Sequence, residues 1–116
     1  MALELVDSHC HLTWNSFDAD RPEVIARAAA AGVTRLVTIG TDLESNRQSV
    51  ALARAYPGVY AAVGIHPNDL GEQKPGFLEE MEKPGFLEQL AALAADPHVV
   101  AIGEIGLDYY LSLIPI

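Results

Sequence analysis

The chain has 116 residues, half of them hydrophobic and a fifth charged, which excludes a disordered chain and predicts one small globular domain or part of a larger one. The 16 acidic and 7 basic residues give a net charge of −9, which excludes binding of polyanions by bulk electrostatic attraction. A lone cysteine, an acidic N-terminus without a basic leader and no apolar run near the roughly 20 residues of a membrane span predict a cytoplasmic protein without a membrane partner.

The N-terminal part of the chain is predicted to form a strand, a helix and a second strand. The first strand covers Glu4 to Ser8, a short apolar run. Asp20 is a candidate N-cap, and Glu23 stands at the capping-box position, so a helix is predicted to begin here and to end at Gly32. The β-branched run from Val33 to Gly40 predicts the second strand.

The rest of the chain continues this alternation. Thr41 or Asp42 is predicted to cap a second helix, which ends before Pro57. The segment KPGFLE occurs twice in close succession, and its second copy places Pro84–Gly85 inside a helical pattern, where a break is expected. The remaining predicted elements are a third strand over 59–65, an interrupted helical stretch over 75–95 and a fourth strand, apolar on both faces, over 99–103.

The predicted order β-α-β-α-β-α-β indicates a parallel sheet with right-handed crossovers, covered by helices. Two architectures fit this order: an open doubly wound sheet and a (β/α)₈ barrel. A complete barrel needs eight strands and about 250 residues, so the four units would be about half of one.

The stretch VDSHCHL places two histidines at the end of the first strand. Residues i and i+2 of a strand point to the same face, so His9 and His11 are expected together and Cys10 on the other side. That geometry disfavours a cysteine–histidine nucleophile and suits a divalent metal such as Zn²⁺ or Mn²⁺. The alternative is two polar residues near solvent. Asp7 is either a structural hydrogen-bonding partner or a group that orients a histidine.

Two further candidates follow the third and fourth strands. His66, in IHP, is either a site residue or an ordinary turn residue, and Glu104, in GEIGLD, is either a metal ligand or one half of a salt bridge. Asp108 lies further along the same loop, whereas His98 precedes the fourth strand and is predicted to be structural. Candidates at the carboxyl ends of three parallel strands meet at one rim, which predicts a metal site there.

The motifs VDSHCHL, VGIHP and AIGEIGLDYY, in this order, resemble those of the TatD family of metal-dependent hydrolases, in the amidohydrolase superfamily. The resemblance runs from Leu5 to Tyr110. It implies a (β/α)₈ TIM barrel, of which residues 1–110 would be the N-terminal half, and a divalent-metal-dependent deoxyribonuclease. For some members a 3′–5′ exonuclease activity is described. Residues 111–116, an uncharged apolar run, are expected to be a non-native tail.

The resemblance also implies roles for individual residues. His9 and His11 match the histidines that bind one metal ion, and Glu104 matches a carboxylate that binds and can bridge the metals. His66 matches a histidine that contacts the scissile phosphate, and Asp108 matches an aspartate near the site. The implied cofactors are two divalent ions per complete site (Mg²⁺, Mn²⁺ or Zn²⁺), and the implied substrate is DNA, single-stranded or at its 3′ ends.

The sequence departs from the family pattern in two ways. Asn68 stands where a second histidine usually follows the proline, and two further histidines and a late aspartate belong to strands beyond this sequence. We therefore expect the 116-residue chain to be inactive or weakly active, with the edges of its first and fourth strands exposed. The alternatives are a hydrolase of a cyclic amide or ester and a non-catalytic fragment.

Overall fold

The computed structural model describes residues 3–70 and 75–107. The four predicted strands are present, each within about two residues of its predicted bounds. Their bounds are β1 Leu5–Cys10, β2 Val33–Ile39, β3 Val59–Val63 and β4 Val99–Ile102. The helices are α1 Arg21–Ala30, α2 Leu43–Ala55, α3 Phe77–Met81 and α4 Phe86–Ala94, with 3-10 turns at Asn15–Phe17 and Pro67–Leu70.

The sheet decides between the two predicted architectures. Its strands lie in the order β1-β2-β3-β4, and all three pairings are parallel. A doubly wound sheet reverses its strand order at a switch point, whereas a barrel adds each strand beside the preceding one. The four units therefore have the strand order of a barrel.

The core lies between the helices and the two middle strands. Its buried members include Leu36 of β2, Val59 and Val63 of β3, Ile25 of α1 and Val50 of α2. Burying each aliphatic side chain of this size contributes about 1.5–3 kcal/mol to stability. The two middle strands are therefore the part of the sheet held most firmly against the helices.

The edge strands are exposed, as expected for half a barrel. Val6 of β1 is 57% exposed, and Val100 and Ile102 of β4 are 55% and 59% exposed. The apolar sequence of β4 is therefore not matched by burial in this chain, because β4 has no neighbouring strand beyond it among the described residues. Within the same residues, no helix is long and apolar enough to cross a membrane.

The predicted helix boundaries are confirmed, but one predicted capping interaction is wrong. Asp42 caps α2 through a reciprocal box with Ser45, Gly32 follows α1 with a φ of 95°, and the Pro84–Gly85 break separates α3 from α4. The capping box predicted at Asp20 is wrong: its side chain makes no cap hydrogen bond. The Asp20 carboxylate instead accepts from Arg27, 3.2 Å away and about two turns into the helix.

A buried carboxylate organises the start of β4, at the end of the sheet opposite the candidate residues. Asp96 accepts hydrogen bonds from the His98 backbone N–H (2.8 Å) and from Arg54 Nε (2.7 Å), and the His98 ring lies 3.0 Å away. The hydrogen bond from the His98 backbone, together with these side chains, outweighs burial and lowers the pKa of Asp96 to about 2. His98 is thus structural, as predicted.

Candidate metal centre

The two histidines of VDSHCHL lie on one side of the sheet. His9 is within β1 and His11 follows it, and their ring centroids are 5.1 Å apart in an edge-to-face arrangement. Cys10 faces the helices, where its Sγ donates to the Val37 carbonyl oxygen over 3.4 Å. Burial, with a smaller contribution from the charge of Asp7, raises the pKa of the Cys10 thiol to about 11. The cysteine is therefore a neutral thiol away from the histidines and cannot act as their nucleophile.

Glu104 reaches the histidines from the other edge of the sheet. Its Oε1 lies 3.2 Å from His9 Nε2, and one ligand atom from each of His9, His11 and Glu104 lies within 4.8 Å of the others. Ligand atoms of a tetrahedral zinc ion, each at 2.0–2.2 Å from the metal, are roughly 3.4 Å apart. The three side chains are therefore grouped closely enough to be a candidate partial coordination sphere for a metal ion.

Backbone hydrogen bonds and the glycine at position 64 allow Glu104 to reach this position. The Gly103 N–H donates to the Val63 carbonyl oxygen (2.9 Å), and the Glu104 N–H donates to the Gly40 carbonyl oxygen (3.1 Å), so the end of β4 folds across the ends of β3 and β2. A Cβ atom at Gly64 would lie 2.6 Å from the Glu104 carbonyl oxygen. Only a glycine at position 64 leaves room for this crossing.

Asn46 holds Gly64 in place and was not predicted from the sequence. Its side chain, fully buried in α2, donates to the Gly64 carbonyl oxygen (2.8 Å) and accepts from the Gly64 N–H (3.1 Å). The available signal was its spacing, because Asn46 shares the helical face of Leu43, Val50 and Ala53, where an apolar residue is expected. A polar residue at such a position indicates a specific hydrogen-bonding role.

Hydrogen bonds also orient the β1 ligands. His11 Nδ1 lies 3.2 Å from the Ile39 carbonyl oxygen. A carbonyl oxygen only accepts, so Nδ1 carries the proton and Nε2 keeps its lone pair for a metal. Asp7 acts on the backbone rather than on an imidazole, because its Oδ1 accepts from the His9 N–H over 3.1 Å.

His66 stands beside this cluster with the opposite tautomer. The Asn68 backbone N–H donates to His66 Nδ1 over 3.1 Å, so Nδ1 is unprotonated and the proton of the neutral ring is on Nε2. That Nε2 lies 3.8 Å from Glu104 Oε2. His66 therefore offers a hydrogen-bond donor at the edge of the cluster. The hydrogen bond to His66 comes from the backbone N–H of residue 68. The asparagine that replaces the usual histidine at this position therefore preserves it.

Trp14 is a second neighbour that sequence reasoning missed. Its ring stacks on His11, with centroids 5.0 Å apart and planes 8° apart, and it is 59% exposed. The structure thus brings together His9, His11, His66 and Glu104, with Asp7 behind them. Asp108 and the predicted tail at 111–116 lie outside the described residues, so their predicted roles stay predictions.

Consecutive parallel β/α units that bring a His-x-His pair and a glutamate to one rim define a barrel-type protein with a candidate metal site at the carboxyl ends of its strands. The chain belongs to the TatD family: the family model described as "TatD related DNase" matches residues 6–113. The predicted family and barrel architecture are confirmed, and the doubly wound alternative is wrong.

Relatives of known sequence and structure agree with this assignment. A protein of Cronobacter turicensis named 3′-5′ ssDNA/RNA exonuclease TatD is 41% identical over 105 residues, which are 90% of this chain and 36% of that protein. The crystal structure of YjjV, a TatD homologue of Escherichia coli K12, matches 95% of this chain and 40% of its own with a TM-score of 0.75 and 37% identity.

A more distant structure shows the same fold. A TatD-family hydrolase of Entamoeba histolytica superimposes with a TM-score of 0.70 at 24% identity, over 94% of this chain and 39% of its own. The chain thus spans about two-fifths of the length of the proteins it matches.

Proposed function

We propose that this chain carries part of the active site of a cytoplasmic, metal-dependent nuclease that hydrolyses phosphodiester bonds of single-stranded DNA, working from 3′ ends. One observation supports the proposal above others: three metal-binding side chains from opposite edges of the sheet converge beside the Nε2–H donor of His66. The exonuclease name of the Cronobacter turicensis relative supports the choice of substrate. The free thiol of Cys10 is compatible with a reducing compartment.

The three side chains are the metal ligands in this proposal. His9, His11 and Glu104 would hold the divalent cations, and the second carboxylate oxygen of Glu104 faces His66. The cations would be Mg²⁺, Mn²⁺ or Zn²⁺, and they would supply polarisation of the phosphodiester and of an attacking water. They also bring the local positive charge that a chain of net charge −9 lacks.

His66 orients the scissile phosphate. Its Nε2–H donates a hydrogen bond to a non-bridging phosphate oxygen, while the Asn68 N–H keeps the ring in the required tautomer. Because Nδ1 accepts from the Asn68 N–H and Nε2 carries the proton, the ring donates to the phosphate instead of ligating the cation. Because His66 is 3.8 Å from Glu104, the same phosphate can contact both the histidine and the metal.

Metal binding tests this proposal directly. We expect the 116-residue protein to bind Mn²⁺ or Zn²⁺ weakly, measured by isothermal titration calorimetry, because it offers three ligands. His9→Ala, His11→Ala and Glu104→Gln should each lower the affinity more than tenfold (roughly 1.4 kcal/mol). His98→Ala is the matched control, since it removes an imidazole from the opposite end of the sheet. Equal binding by all four variants would show that the metal is held elsewhere.

Substrate assays test the reaction. We expect slow cleavage of a labelled single-stranded oligodeoxynucleotide by the metal-loaded chain, abolished by a chelator and by His9→Ala, and no turnover of small cyclic amides. His66→Ala should retain metal binding and lose cleavage. Turnover of a cyclic amide with the DNA left intact would contradict a nuclease.

A further inference from the structure

A groove of about 400 Å³ lies where β1 and β2 end. It is next to the side chains of His9, His11 and Glu104, called the metal cluster below. Trp14 forms one wall and Ser45, at the start of α2, lies on another. The groove and the cluster share a boundary, because the Trp14 ring is stacked on the metal-ligating His11. If one group of a molecule were bound at the cations, the adjoining part of that molecule would therefore lie close to the groove.

The exposed ring of Trp14 is held on a rigid backbone. The Trp14 N–H donates to the His11 carbonyl oxygen (3.3 Å), and the Trp14 carbonyl oxygen accepts from Arg21 Nη2 (3.2 Å) and the Phe17 N–H (2.9 Å). The preceding Leu12 and Thr13 are buried. An aromatic ring that is 59% exposed yet fixed by its backbone and by His11 needs little ordering to receive a second ring.

The other walls of the groove favour a neutral, planar ligand. Asp42 and Glu44 contribute carboxylates, Asn15 and Gln48 contribute amides, and among the described residues no Lys or Arg lines the groove. Carboxylates repel a phosphate. The amides both donate and accept hydrogen bonds, as the edges of nucleobases do.

We propose that Trp14 and this groove bind a nucleobase of the single-stranded substrate, in the nucleotide next to the phosphate at the metal cluster. The inference rests on the proposed nuclease function. The base stacks on the part of the Trp14 ring that His11 does not cover, while its phosphate stays outside the acidic groove. Stacking accepts any base, and duplex DNA, with its bases already stacked, is excluded.

A simpler role for Trp14 is to support His11 alone. In that case removal of the Trp14 ring would weaken metal binding. It would also weaken the binding of ligands with and without bases equally. The two roles therefore differ in the metal affinity of a Trp14 variant and in its response to base-free ligands.

Fluorescence provides the first test, because Trp14 is the single tryptophan of the chain. With Zn²⁺ present, a short single-stranded oligodeoxyadenylate should quench Trp14 emission. An abasic oligomer of equal length and charge should not. Equal quenching by the two, or none by either, overturns the inference.

Substitution provides the second test, with binding of a labelled oligodeoxyadenylate read by fluorescence anisotropy. Trp14→Ala should weaken binding roughly five- to a hundredfold, Trp14→Phe should remain near the parent, and Leu87→Ala, which truncates a 71% exposed side chain on α4, should have no effect. Zinc affinity and abasic-oligomer affinity should be unchanged in Trp14→Ala.

The outcomes separate the inference from the proposed function. If Trp14→Ala weakens zinc binding, or weakens both oligomers equally, Trp14 only supports His11 and the inference fails while the nuclease proposal stands. If the parent protein takes up no zinc through His9, His11 and Glu104, the proposed function fails by that measurement alone.

Discussion

Cys10 lies between the two candidate metal ligands His9 and His11 but is chemically separate from them. Because burial raises the pKa of its thiol to about 11, above the ordinary value of 9.0, the reactive thiolate forms only in strongly alkaline solution. We expect iodoacetamide to modify the folded protein very slowly at neutral pH and faster as the pH approaches 11. Mass spectrometry measures the rate, and the urea-unfolded chain is the control. Rapid modification of the folded chain at neutral pH would contradict the burial of Cys10.

At the residue scale, the sequence predicted what depends on local geometry. The alternation of side chains along a strand placed His9 and His11 together and Cys10 apart, and this needed no knowledge of the fold. Asn46 and Trp14 escaped prediction because their roles are set by partners distant in sequence or by the exposed surface beside the site. The Glu104 side chain is 27% exposed although it follows the apolar strand β4.

At the scale of elements, Gly64 determines where the end of β4 can lie. A methyl group at this position would come within 2.6 Å of the Glu104 carbonyl oxygen and 2.7 Å of the Gly103 carbonyl carbon. We expect Gly64→Ala to displace Glu104, to lower metal affinity more than tenfold and to destabilise the protein by about 1–3 kcal/mol. Calorimetric titration and urea denaturation measure the two effects.

Gly103→Ala is the matched control for this substitution. It adds the same methyl group next to Glu104, but apart from Gly103 itself and its two chain neighbours no heavy atom of the described residues lies within 4 Å of the new Cβ. Its metal affinity should therefore remain close to that of the parent. A comparable loss in both variants would mean that any added methyl group near Glu104 displaces it. The collision at Gly64 would then not be the cause.

Helix caps show where prediction from sequence stops at this scale. Asp42 and Asp20 both stand before a helix, yet only Asp42, with an extended backbone (φ −144°, ψ 174°), accepts the hydrogen bond of a cap. Asp20 has a ψ of 22°, and its carboxylate binds Arg27 instead. The residue type permits a cap, but the preceding chain decides the backbone angles.

At the scale of the whole molecule, the exposed edges have a measurable consequence. Among the residues that the structure describes, β1 and β4 have no strand beyond them, and both carry exposed apolar side chains, which favours association between chains. We expect a polypeptide of these 116 residues to self-associate as its concentration rises, measured by size-exclusion chromatography with light scattering. Val100→Lys, at a position 55% exposed, should reduce association without unfolding the chain. A monomer at all concentrations would contradict this expectation.

The choice between an open sheet and a barrel also belongs to this scale. The alternation of strands and helices along the chain is the same in both, so periodicity alone left the alternatives open. The distinction lies in the order of the strands across the sheet, which is set by long-range pairing such as that of Leu36 with Val59. The resemblance of the motifs to those of the TatD family indicated the barrel, which the local pattern could not.

The crossing of the β4 end over β2 and β3 couples metal binding at the metal cluster to the folding of the chain. His9 and Glu104 come from opposite ends of the described chain, and each intervening strand must be paired for them to meet. A cation held by both would act as a reversible cross-link that closes nearly the whole chain into a loop and binds only its folded form. The free energy of binding then adds to that of folding, so the melting temperature should report metal occupancy and rise with metal concentration.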